Sequence, residues 1–398
     1  MHPSEEIRGV KSNKLSNKRI VLGVTGSIAA VECVKLSREL IRHGAEVFPV
    51  MTRSATRIIH PDSLEFATGN KPIIELSGKT EHVSFCGLVK EPVNLLLICP
   101  CTANTISKIA RGIDDTSVTT FATTAIGSGV PILIVPAMHL SMYDHKILQN
   151  NITKCKKIGI KFVDPYLSGN KAKMANIDEI VAHVIREIGK CDLVNKKILV
   201  IGGSTAESID DVRVISNRSS GKTAVSLVKN AFYRGADVEL WYGCSEEPIP
   251  DYIKTIRFVS IYDILKLLKT KNIKNFGAIL VCAALADYIP EKHTGKITSK
   301  KNKLVLELSQ APKIINHIRK IVPKSKIVGF KVESKKDKLK EKALELLKID
   351  NLDFVVANTV SAFGSNSNEI WIFGKNKKTI HKKGTKDILA DTILDAVK

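Results

Sequence analysis

Two glycine turns near the middle of the chain carry the residue types that hold phosphate. Gly202-Gly203-Ser204-Thr205 follows the apolar run Ile198-Leu199-Val200-Ile201. Ser219-Ser220-Gly221-Lys222 comes soon after, ahead of the helix-like stretch Ala224-Val225-Ser226-Leu227-Val228. Backbone N–H groups at a helix start, two hydroxyls and a lysine make an anion cradle. Asn217 and Arg213 lie between the turns and add donors, as for a nucleotide or a phosphorylated substrate. The same opening occurs earlier: residues 17–27 read NKRIVLGVTGS and residues 195–205 read NKKILVIGGST. In the first half, polar residues follow apolar runs at Ser27, at Thr52, at Thr102 with Asn104, and at His139.

Such turns need parallel strands to present them. Ile20–Val24, Ala45–Met51, Val93–Cys99 and Val130–Val135 read as strands, the last two as apolar runs expected of strands buried on both faces. A helix from Ile28 to about Arg42, ended by Gly44, separates the first two. After a joint at Cys191–Asn195 the pattern restarts, with further strands expected at Val238–Tyr242, Ala278–Ala283, Lys326–Phe330, Phe354–Ala357 and Ile370–Phe373. The expected fold is α/β, two tandem Rossmann-like units. The boundaries are a disordered polar tail over 1–18, one domain over 19–190 and another over 191–398. The GxGxxG fingerprint is not met, which favours a mononucleotide over a dinucleotide.

Composition narrows the partners. With 61 Lys+Arg against 40 Asp+Glu the formal net charge is +21, which favours anionic ligands. The lysines are spread and no nucleic-acid module is seen, so phosphorylated small molecules are expected rather than RNA or DNA. The Lys-rich stretches Lys331–Lys342 and Lys375–Lys383 read as solvated faces. The eight cysteines have no C-x-x-C or zinc spacing, which points to a reducing cytoplasm. No apolar run reaches the roughly 18 residues of a membrane helix. No metal ligands are assigned.

GVTGSIAA (23–30), PCTANTISKIARGIDD (100–115) and PAMHLSMY (136–143) resemble the three signatures of the flavin-dependent cysteine decarboxylases that act on phosphopantothenoylcysteine. His82, in Thr80-Glu81-His82-Val83, falls where that family has its active-site histidine. The resemblance implies a flavodoxin-like, trimer-based unit binding FMN near a subunit interface. Gly26, Ser27, Ile28, Thr52, Thr102 and Asn104 become flavin contacts, His82 the acid/base partner and Met142 a substrate contact. Two departures stand out. His139 replaces the family's carboxylate-binding asparagine. The substrate-covering flap, DPYLSGNKAKM (164–174), lacks the usual cysteine and offers only Lys171, Lys173 and Asp164 as ionisable groups.

DVRVISNRSSGK (211–222), CAALADY (282–288), GFKVES (329–334) and VANTVSAFGSNSNEIWIF (356–373) resemble, in order, the ligase that joins phosphopantothenate to cysteine. In prokaryotes it is commonly fused behind the decarboxylase, as in the bifunctional enzymes of coenzyme A biosynthesis. The resemblance implies CTP with Mg²⁺, an acyl-cytidylate intermediate and dimeric contacts, with phosphopantetheine as the product of both halves. It assigns Asn217 to the acyl-cytidylate, Arg213 to the substrate, and Val281, Cys282, Ala283, Asp287, Lys296, Pro312, Lys313, Ile314, Ile315 and Phe330 to CTP. Two lysines usual before the V-A-N strand are Asp350 and Leu346 here, with Lys348 or Lys342 as possible substitutes.

Overall fold

The computed structural model describes residues 2–298, 303–333, 335–359, 367–376 and 379–398. Part of the last ligase-like motif, residues 360–366, lies outside them, as does Ser334. The chain divides into two compact units, the first ending at Cys191 and the second starting at Asp192.

In the first unit β1 (Arg19–Val24), β2 (Glu46–Met51), β3 (Leu95–Cys101) and β4 (Ile132–Pro136) are parallel. After β5 (Met138–His139), β6 (Lys161–Phe162) completes the sheet in the order β2-β1-β3-β4-β6. Every residue of β3 is buried, which is why its sequence is apolar without alternation. Strand order reverses between β1 and β3, the point at which such sheets hold ligands beyond the carboxyl ends of their strands. A separate three-stranded sheet, β5-β8-β7, joins β5 to the hairpin of β7 (Tyr166–Ser168) and β8 (Lys171–Lys173).

Two expectations change here. The first helix is broken into a 3₁₀ turn, Ile28–Glu32, and an α-helix, Cys33–Arg42. The tighter turn leaves Ile28 75% exposed at the end of β1. The leader is not a disordered tail over its described residues. Pro3–Glu6 is a short helix capped by His2, and Leu15 is fully buried. The amides of Gly9, Lys11 and Ser12 bond the carbonyls of Ile41 and Arg42, and Lys11 pairs with the buried carboxylate of Glu39. A helix end leaves carbonyls without partners, and the leader's backbone supplies the donors. Its polar composition carries no trace of that.

The second unit opens with β9 (Lys197–Gly202), the short pair β10 (Ala206–Ser208) and β11 (Val214–Ser216), then β12 (Asp237–Tyr242) and β13 (Lys254–Arg257). After β14 (Ala278–Val281) comes another short pair, β15 (Tyr288–Pro290) and β16 (Leu308–Gln310). The remaining strands are β17 (Lys326–Glu333), β18 (Phe354–Thr359), β19 (Ser367–Gly374) and β20 (Thr379–Thr385). The main sheet runs β13-β12-β9-β14-β17-β18-β19-β20, parallel up to β18 and antiparallel beyond it. Helices Lys222–Tyr233 and Lys386–Val397 bury their apolar sides in a core on one face. Ile261–Thr270, Ile314–Ile321 and Lys336–Ile349 do so on the other. The Lys375–Lys383 stretch, expected only as a solvated face, contributes its last residues to β20, the sheet's edge strand. Lys382 and Lys383 stay exposed there, where charge discourages further strand pairing.

Candidate active sites

In the first unit, hydroxyl residues stitch the strand-end loops together. The Thr25 hydroxyl donates to the Pro100 carbonyl at 2.8 Å and accepts from the Thr102 amide at 3.1 Å, joining the loops after β1 and β3. The Ser27 hydroxyl donates to the Ala137 carbonyl at 3.2 Å, tying in the loop after β4. Thr102 caps helix Ala103–Arg111 by accepting from the Thr105 amide, while Asn104 in its first turn is exposed. Thr52, buried, accepts from the Ala55 amide at 3.2 Å. Gly26 lets the loops after β1 and β2 touch, since a Cβ there would lie 2.6 Å from Ser54 Cβ. Ser27 heads the 3₁₀ turn without a side-chain cap, so that turn's first amides are not served by it.

His82 sits on the short helix Glu81–Cys86, anchored by Phe85 against Phe48 (ring centroids 4.7 Å apart) and by buried Cys86. Its Nδ1 is buried with no hydrogen-bond partner among the described residues. A buried polar atom without a partner is costly unless a ligand serves it. His139 is exposed on β5 and pairs in register with Lys171 of β8, which in turn faces Ser168 of β7. Met142, 46% exposed, follows in the next turn. The flap segment is thus a hairpin attached to the His139 loop. Of the thiols, Cys99 lies 3.4 Å from Met174 at the hairpin's end, but burial pushes its pKa well up. Cys155 is buried and also raised, to about 11, by desolvation.

The second unit holds a cleft of ≈ 610 Å³ along the carboxyl edge of its sheet. The ends of β9, β14, β17 and β18 form its floor through Gly203, Val281, Phe330 and Asn358. One lip is the turn Asn217–Gly221 with Thr223, Lys386 and Leu389, from the helices on one face. The other is Pro312–Ile315 with Leu346 and Asp350, from the opposite face. Gly221 has φ +77, and a Cβ there would fall 1.8 Å from the Tyr242 hydroxyl, so the turn needs glycine. The Asn217 amide donates to the Leu285 carbonyl at 2.9 Å, holding the turn against the C-A-A-L-A-D-Y loop. Asp287 pairs with Lys313 at 2.7 Å. Burial raises Asp350 above the usual carboxylate range, against the pull of Lys313. Cys282 is pushed up to about 12 by burial, which makes it a packing thiol and not a nucleophile.

Val281, Cys282, Ala283, Asp287, Pro312, Lys313, Ile314, Ile315, Phe330 and Asn217 therefore share one cleft. Arg213 and Lys296 are not on its walls. The Arg213 guanidinium bonds the buried Asp210 carboxylate at 2.7 Å and the Ile297 carbonyl at 3.1 Å. The amides of Gly295 and Ile297 bond Asp211 and Asp210, so these aspartates pin the loop bearing Lys296 beside Arg213, with Lys296 exposed. Burial alone would raise Asp210, but the amides of Arg213, Val212 and Ile297 and the guanidinium hold it well below the usual range. Lys342 pairs with Glu345 on an exposed face, and neither it nor Lys348 lines the cleft. Lys386, Asn358 and Asn368 do, and were not expected. Asn358 belongs to the V-A-N motif and was within reach of sequence reasoning. Lys386 was not, because its proximity depends on the last helix folding back.

Among the described residues no helix is long and apolar enough to cross a membrane. The flavoprotein family model matches residues 8–189, and that of the DNA/pantothenate metabolism flavoprotein C-terminal domain matches 193–398. A Thermococcus kodakarensis protein, coenzyme A biosynthesis bifunctional protein CoaBC, is 44% identical over 402 residues, covering 100% of this chain and 99% of its own. Its namesake from Methanocaldococcus jannaschii is 38% identical over 405 residues, covering 100% and 98%. A solved structure of the DNA/pantothenate metabolism flavoprotein from Streptococcus pneumoniae is 23% identical, covers 50% of this chain and 97% of that one, and gives a TM-score of 0.46. Matched end to end and by one family model in each half, the chain belongs to the family of coenzyme A biosynthesis bifunctional proteins CoaBC.

Proposed function

We propose that the second unit joins cysteine to 4′-phosphopantothenate with CTP, and that the first unit decarboxylates the product to 4′-phosphopantetheine. The observation that carries the reading is the single cleft in which Asn217 and nine of the ten expected CTP residues converge. A carboxylate is a poor acyl donor at neutral pH. One of its oxygens attacks the α-phosphorus of CTP, a P–O bond forms and pyrophosphate leaves. The cysteine amine then attacks the acyl carbon, a C–N bond forms, CMP leaves and the amine gives up a proton. The turn Ser219–Gly221 would hold phosphate through backbone N–H groups. Asn217, fixed by the Leu285 carbonyl, would position the acyl-cytidylate. Lys296 would act from the loop that Asp210 and Asp211 pin, with Arg213 held beside it by Asp210. Mg²⁺ would enter with the triphosphate, whose oxygens are the ligands it takes most readily.

The first unit's residues fit FMN: backbone and hydroxyl groups at Gly26, Ser27, Thr52 and Thr102, exposed Ile28 and Asn104, and an unserved His82 Nδ1. Bound there, the flavin would supply the two-electron acceptor that lets the carboxylate leave as carbon dioxide, and would return the same two electrons to give phosphopantetheine. His82 would hold or move a proton at the substrate's reacting end. His139 and Met142 would orient the substrate, the imidazole donating to the carboxylate. A trimer-based assembly of this unit, dimeric contacts in the other and a cytoplasmic setting belong to the same proposal. Exposed Ile28 and Leu167 are the kind of surface such an assembly covers.

Mass spectrometry of the complete reaction tests both halves. Wild type should yield phosphopantetheine with pyrophosphate and carbon dioxide. His82→Asn should stop at phosphopantothenoylcysteine, and Asn217→Asp should accumulate the acyl-cytidylate. Wild-type protein that releases no pyrophosphate from CTP would overturn the ligase assignment, and protein that purifies without flavin would overturn the other.

A further inference from the structure

Three lysines line the cleft: Lys313, Lys331 and Lys386. Lys313 is paired with Asp287 at 2.7 Å and Lys331 with Glu333 at 3.2 Å. Lys386 differs. Among the described residues its ammonium forms no ion pair, and its partner is the Thr223 hydroxyl at 3.1 Å. Both residues stand at helix starts, Lys386 at the head of Lys386–Val397 and Thr223 in the first turn of Lys222–Tyr233. An Asn230–Asp387 hydrogen bond of 2.8 Å clamps the two helices together. The charged and titratable groups around Lys386 are Lys222, Glu247 and the Cys282 thiol. Burial, then Lys222, pulls the ammonium below the usual lysine range, while Cys282 and Glu247 act the other way. A desolvated cation beside a second cation, on a cleft wall next to Ser219, Ser220 and Gly221, is a charge that an anionic ligand would neutralise.

We propose that Lys386 is a phosphate-binding residue of this cleft, contacting the β- and γ-phosphates of the nucleotide and the pyrophosphate they become. The inference rests on the nucleotide reading of the cleft. It assigns the triphosphate to the lip made by the two helix starts, away from the Lys313–Asp287 pair. Because an anion favours the ammonium, nucleotide binding at alkaline pH draws a proton onto Lys386.

Isothermal titration of the full-length protein with CTP–Mg²⁺ and with pyrophosphate tests it, at alkaline pH in two buffers of different ionisation enthalpy. Wild type binds both and takes up a fraction of a proton. Lys386→Met binds both about ten- to a hundredfold more weakly, the loss of a charged hydrogen bond, and takes up none. Lys386→Arg keeps the affinity but not the uptake, since guanidinium does not titrate. It decides the question even if the Met variant fails to fold, because proton uptake unchanged in Lys386→Arg overturns the proposal. So does unaltered affinity for both probes in Lys386→Met. Wild type that binds neither probe overturns the nucleotide reading itself.

Discussion

The two sets of strand ends are built in opposite ways. In the second unit, helices on both faces of one sheet send residues over its carboxyl edge, so the cleft has two lips and a floor within a single unit. In the first, threonine and serine hydroxyls bind three loops to one another. The groups proposed for chemistry are left outside that network: His139, Met142 and Asn104 are exposed and His82 keeps an unserved nitrogen. A site that must close on a nucleotide for two chemical steps gains from self-contained walls. A site that holds a flat cofactor needs a cradle, and its cover can come from the flap hairpin or from another copy of the chain.

The comparison breaks most decisively at His82. If the first unit's chemistry is separate, His82→Asn lowers decarboxylation of supplied phosphopantothenoylcysteine by about 10²–10⁴-fold and leaves CTP-dependent pyrophosphate release unchanged. Loss of both would join the two sites. The leader gives the next largest effect. Leu15→Ala removes a fully buried side chain and should destabilise the first unit by about 2–5 kcal/mol, seen as a lower thermal midpoint for flavin release with ligation intact below it. A midpoint that does not move would return the leader to the status of a tail.

Gly221→Ala strains a left-handed backbone position and drives a Cβ at Tyr242, so it should cost the second unit about 1–3 kcal/mol and weaken CTP binding. Decarboxylation of supplied substrate should persist. The smallest effect is at Asp350. Its folded carboxyl holds its proton more tightly than the unfolded one, so its contribution to stability falls as pH rises through the raised value. Asp350→Asn should therefore raise the second unit's thermal midpoint at neutral pH. The gain should fade as pH drops below the ordinary aspartate range. An equal gain at both pH values would mean that Asp350's charge is not the cause.

Much of this was legible from local pattern. Apolar runs such as Leu95–Ile98 must be buried strands whatever surrounds them, and each strand end places its turn at the same edge of a parallel sheet. Ten residues assigned by the ligase resemblance share a cleft, and for Val281, Cys282, Ala283, Asp287 and Asn217 among them the reason is that they end, follow or flank short strands at that edge. Strand limits moved by a few residues, because chain entry into a sheet is set by hydrogen-bonded partners and not by hydropathy. β13 and β20 went unread because edge strands carry little apolar pattern: β13 reads Lys-Thr-Ile-Arg, half polar.

From the order of residues alone came two α/β halves, their glycine turns and the polar groups at their strand ends, all features of short range that one stretch of chain specifies. Only the folded molecule decided which distant groups meet. Lys386 reaches Thr223 across 163 positions because two helices pack on the same face of the sheet. Lys296 is held beside Arg213 because two aspartates claim its loop. The leader is ordered by carbonyls at a helix end that no side-chain pattern announces. Such contacts depend on where buried backbone and charge find partners, and that is settled by the packed whole.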